Sequence, residues 1–153
     1  MSRGVAGVAA AAPPGAVVSL VVVVVAAVLL TVGWRLAARR RYQAHRWVQT
    51  TAACLNAALV AAWMIHSFVV NVWPAIPARL GQDSYAVATA HAVTGVIGVT
   101  LGSFVALRAN ELVPAPLAFR DYRLFMRTSY GLYLLATLTG VVLYFVAYGL
   151  RFR

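Results

Sequence analysis

Four apolar runs alternate with short polar connections along this chain: Val17–Gly33, Trp47–Val72, Tyr85–Leu107 and about Leu124–Leu150. A helix needs roughly 17–25 apolar residues to cross a bilayer, and each run meets that length. The first contains an unbroken valine stretch, Val21–Val25. In lipid, however, hydrophobicity and an internally satisfied backbone outweigh weak helix propensity. The pattern therefore predicts an all-α, integral membrane four-helix bundle over residues 16–153. Residues 1–15, with Ala9–Ala12 and Pro13–Pro14, are expected to form a disordered tail. No internal repeat or second domain is evident.

The connections set the direction of crossing. Five arginines lie in Arg35–Arg46, and Arg108, Arg120 and Arg123 follow the third run, with Arg127 one turn further on. Asn71–Ser84 carries only Arg79 and Asp83. By the positive-inside rule the first and third connections are cytoplasmic, leaving both termini outside. The first run is expected to remain as an anchor, because a signal peptide has its charges in front rather than behind.

Composition agrees with this pattern. The 153 residues are 63% hydrophobic and 10% charged, with a mean hydropathy of +0.83. A soluble domain carries about 25% charged residues. All 13 basic residues are arginine, which with abundant alanine and valine hints at a GC-rich bacterial genome. The net charge of +10 does not indicate nucleic-acid binding, because the arginines flank apolar runs. Cys54 is the sole cysteine, so no intramolecular disulfide or CxxC motif is possible.

Between the second and third runs, Pro74 and Pro77 are expected to stop a helix, Gly81 to permit a turn, and Asp83 or Ser84 to cap the next helix. This hairpin would place His66 and His91 at similar depth, roughly 8–11 Å below the outer surface. On the second expected helix, when it is extended back to His45, the residues His45, Asn56 and Trp63 share a face, with His66 about 60° off at ~100° per residue. On the third, His91, Gly95, Gly98 and Gly102 form a small-residue stripe, and the Gly98–Gly102 spacing lets another helix approach closely.

Two facing imidazoles would suit six-coordinate haem, with Arg79 the outer-loop charge available to a propionate. They would equally serve as interhelical hydrogen-bonding groups. A zinc or copper site is less well supported, because zinc takes three or four ligands and His45 lies ~30 Å from His66 along the helix. Asp83 is ~12 Å from His91 within one helix, too far for a hydrogen bond. Tyr130, Tyr133, Thr137, Gly140, Tyr144 and Tyr148 form one face of the last run, best read as packing and interfacial anchoring. Arg120, Arg123 and Arg127 are read as contacts to lipid phosphates. Asn56 and Cys54 have no evident partners. With only three acidic residues, paired-carboxylate catalysis and a carboxylate proton relay both lack parts, and a transporter built on inverted repeats would need more helices.

Three segments, "GWRLAARRRYQAHR", "ATAHAVTG" and "YRLFMRTSYGLYLLATLTGVVLYFVAY", resemble the YozB/CtaM-like family of small bacterial membrane proteins, a domain of unknown function (family 420). The resemblance spans Gly33–Tyr148 and implies a cytoplasmic-membrane location and a link to respiratory membranes, some members being associated with maturation of haem–copper oxidases. The family's histidines correspond to His45 and His91, and less securely to His66. Tyr122 stands where the family would have a further histidine at the start of the last helix. The function expected is therefore non-enzymatic, in respiratory-complex biogenesis or haem handling. The alternatives are a bis-histidine haem electron-transfer protein and a cofactor-free structural subunit of a membrane complex.

Overall fold

The structure, a computed structural model, describes residues 12–117 and 121–148. It is a four-helix bundle. Helix α1 spans Pro14–Ala38, and α2, Tyr42–Leu59, continues through a wide turn at Val60–Met64 into α3, Ile65–Asn71. The short α4 (Ile76–Arg79), the long α5 (Asp83–Ala109) and α6 (Tyr122–Tyr148) follow. Among the described residues, four segments are long and apolar enough to cross a membrane: Pro14–Ala38, Tyr42–Arg79, Ser84–Ala109 and Tyr122–Tyr148.

The helices run past the apolar stretches at several ends. Pro14 occupies the first turn of α1, where its missing N–H and fixed φ suit a helix start. Pro14 and Gly15, expected within the tail, are therefore helical, while residues 1–11 of that expected tail lie outside the described residues, as do 118–120, which include Arg120, and 149–153. The connection between the second and third spans is largely helical rather than open. Helix α3 ends at Asn71, just ahead of Pro74, and Pro74 and Pro77 then each sit in the first turn of a short helical segment, where proline is tolerated. The cap position of α5 falls on Gln82, one residue ahead of the expected Asp83 or Ser84, and makes no side-chain cap bond. At α6, by contrast, Asp121 Oδ1 accepts from the Leu124 N–H in an N-cap bond.

Packing closes the bundle into a ring: α1 lies on α2, α2 on α5, α5 on α6, and α6 returns to α1. The pairs α1–α2 and α5–α6 are the most extensive. Small residues fill the interior and large aliphatics face outward: Ala26 and Ala52 are 0% and 1% exposed, whereas Val18 and Val28 are 56% and 57% exposed. Such an arrangement suits lipid as solvent, where small interior residues let backbones approach.

The small-residue stripe on α5 is used in part. A Cβ on Gly98 would lie 3.7 Å from the Leu132 backbone, and one on Gly102 would lie 3.2 Å from Ser129 Oγ, both on α6. Gly95 faces open space, with nothing within 4 Å.

Candidate functional site

The interior contains a cavity of about 590 Å³. Small residues leave this space open: Ala52 and Ala53 on α2, Gly98, Gly102 and Ala106 on α5, and Ser129 on α6 all present little side chain to it. It extends from the arginine-rich end, lined by Tyr42, Arg46, Arg108, Glu111 and Tyr122, inward to Asn56 and Tyr133. At ~1.5 Å per residue the span from Ala109 to Gly98 is roughly 16 Å, about half of a bilayer core.

His45 lines this cavity. It is 9% exposed, and its Nδ1 lies 2.7 Å from Gly33 O on α1. A carbonyl only accepts, so Nδ1 carries the proton and, in the neutral ring, Nε2 keeps its lone pair. Binding one ring N–H to a backbone carbonyl in this way fixes tautomer and orientation, as metal-ligating histidines commonly require. Gln49 adds a second tie to α1, its Nε2 donating to Leu30 O at 3.1 Å. The close approach depends on Gly33, whose Cβ, if present, would lie 2.5 Å from Gln49 Nε2.

At the inner end Tyr133 donates to Asn56 Oδ1 at 3.2 Å, and both residues also line a second chamber of about 30 Å³. His91 lines this smaller chamber. Its Nδ1 is 3.0 Å from Ala136 O and 3.3 Å from Thr139 Oγ1 on α6, and its ring lies against Gly140. The chamber exceeds the ~10–15 Å³ that holds one water but is far below the ~300 Å³ where ligand sites begin.

His66 lines neither cavity and is exposed. The expectation that His66 and His91 face each other is corrected here, and the cause is local. Between Asn56 and His66 the Ile65 N–H donates to Val60 O, five residues back. A turn closed in this way accommodates an extra residue. His66 then stands nine helical steps from the buried Asn56, ~180° away, instead of ten steps and ~80°. In addition, α3 packs chiefly on the turns that flank it rather than on α5. Arg79, expected near the pair, donates instead to Tyr85 Oη at 3.2 Å.

Of the three candidate histidines, His45 and His91 point into the bundle but line different spaces, and His66 does not join them. Among the described residues no three His, Cys, Asp or Glu side chains cluster as a multi-ligand metal centre would require. Arg123 and Arg127 are exposed at the start of α6, and Cys54 is a free, exposed thiol.

Sequence reading did not find the cavity, the role of Gln49, or the pairing of Asn56 with Tyr133. The last of these had a signal. Both residues lie near mid-span on antiparallel helices, and a buried amide seeks a partner at its own depth. No family model matches this chain, and no curated protein or solved structure matches it either, so the YozB/CtaM-like resemblance rests on its three short segments alone.

Proposed function

We propose that this chain is a non-enzymatic membrane protein that holds an amphipathic cofactor in its interior cavity. In the reading implied by the YozB/CtaM-like resemblance, the cofactor is haem and the role is respiratory-complex biogenesis. The observation that carries the reading is His45, a buried imidazole lining a ligand-sized cavity with its other nitrogen committed to Gly33 O. The residues suit such a group. His45 Nε2 would be the ligand atom, Arg46 and Arg108 at the mouth would meet its carboxylates, and the alanine- and glycine-rich walls leave room for its apolar body. Haem would supply redox or exchangeable coordination chemistry when bound; the chain's own part is to hold, orient and shield.

Each histidine-lined cavity contains a single imidazole. That favours handling over electron transfer, because a bis-histidine carrier needs two imidazoles on one iron, whereas a single ligand leaves a position free for exchange during loading and release. By the arginine distribution the cavity opens toward the cytoplasm of a bacterial cell, and both termini lie outside. Titrating haem into the purified protein in detergent tests the reading. A saturable, one-to-one Soret band is expected, and its absence at excess haem removes the cofactor from the account.

A further inference from the structure

We propose that the mouth of the large cavity is a binding site for an acidic headgroup, carboxylate or phosphate, on a lipid-soluble molecule whose apolar part lies further in. The inference rests on the cavity being a ligand site, but not on the ligand being haem.

The Nε of Arg108 is buried and, among the described residues, has no hydrogen-bond partner. A buried guanidinium N–H without a partner is costly, and an anion held at the mouth by the same guanidinium would offset part of that cost. Arg46 lines the same mouth from α2. Glu111 is the one carboxylate among the lining residues, and it pairs with neither arginine among the described residues. Two planar guanidinium forks on facing helices suit the oxygens of a carboxylate or phosphate.

The walls change character with depth. Beyond the mouth no arginine or acid lines the walls: Ala52, Ala53, Val99 and Met126 are apolar, and the polar residues at the inner end, Asn56 and Tyr133, are bonded to each other. A ligand that satisfies both regions has one anionic end and one apolar end. Orientation follows: the head stays at the arginine-rich surface and the tail points toward mid-membrane.

Isothermal titration on the full chain in nanodiscs of zwitterionic lipid tests this, with empty nanodiscs as blank. The probes are dodecanoate, dodecylamine and inorganic phosphate. Saturable dodecanoate binding above the blank is expected, with dodecylamine and phosphate each weaker by about tenfold or more. Arg108→Gln and Arg46→Gln should each weaken dodecanoate by about tenfold. Arg123→Gln, at an exposed position outside the cavity, should leave it unchanged. Ala53→Phe, which fills the tail space while sparing the arginines, should abolish dodecanoate binding and carries the test if an arginine variant fails to fold.

Equal binding of dodecylamine, phosphate matching dodecanoate, or unaltered affinity in the variants would overturn the proposal. Arginine-dependent dodecanoate binding without haem binding would remove haem and leave this site. Haem binding without dodecanoate binding would do the reverse.

Discussion

The Tyr133 hydroxyl donates to Asn56 Oδ1 at 3.2 Å, joining α6 to α2 where the large cavity ends and the small chamber begins. Asn56 is 9% exposed, and the Tyr133 hydroxyl gives its amide oxygen a partner inside the protein. Tyr133→Phe removes the donor and keeps the ring. Interhelical hydrogen bonds in membranes average about 0.6 kcal/mol and reach about 2 kcal/mol. Thermal unfolding in detergent should show a loss of that size, and an unchanged midpoint would mean the bond adds nothing.

The helix α5–α6 contact gives a sharper contrast between two glycines. A Cβ on Gly140 would stand 2.9 Å from His91 Cε1, whereas a Cβ on Gly95 meets nothing within 4 Å. Gly140→Ala should therefore push the His91 ring off Ala136 O and cost about 1–3 kcal/mol, the usual range for overpacking. Gly95→Ala should cost nothing measurable. Equal midpoints for the two variants in the same unfolding assay would argue against the His91–Gly140 contact.

Strain is stored at two helix ends. Arg40 and Glu111 adopt φ of 59° and 62°, left-handed backbone that costs a residue with a Cβ roughly 1–2 kcal/mol. Each closes its helix in the same way: Arg41 N–H donates to Leu36 O at 2.9 Å, and Leu112 N–H to Leu107 O at 3.0 Å. Glycine fits this position without penalty. Arg40→Gly and Glu111→Gly should each raise stability by about 1 kcal/mol, and a fall in melting temperature for both would contradict the assigned backbone.

Most of the fold was legible in the sequence, because lipid imposes length and apolarity on every crossing segment and Arg35–Arg46 marks one end. The candidate site was harder to read for three physical reasons. The extra residue at Val60–Met64 lies within a uniformly apolar stretch, so no change of pattern announces the rotation that turns His66 outward. The cavity arises where small faces of α2, α5 and α6 meet, which depends on the order of helices around the ring. His91 bonds to α6, the neighbour it packs against most closely, and not to the helix that precedes it in sequence.

The proposed orientation is open to labelling in a Cys54→Ala background. Gln43→Cys lies beside the Arg39–Arg41 turn and Gln82→Cys at the opposite end, both exposed. A membrane-impermeant thiol reagent should reach Gln82→Cys in intact cells and Gln43→Cys only after lysis, since arginine-rich connections stay cytoplasmic. The reverse pattern would turn the bundle over and place the cavity mouth outside.

The central claim, that His45 is the residue presented to a bound cofactor, is tested most directly by the Soret spectrum of three alanine variants after haem loading. His45→Ala should lose or strongly weaken the band, because no other imidazole lines the large cavity. His66→Ala should match the parent protein, its side chain being on the outer surface. His91→Ala should keep the band while lowering the melting temperature, through loss of its bonds to Ala136 and Thr139. A spectrum that survives His45→Ala but disappears in His66→Ala or His91→Ala would contradict the account.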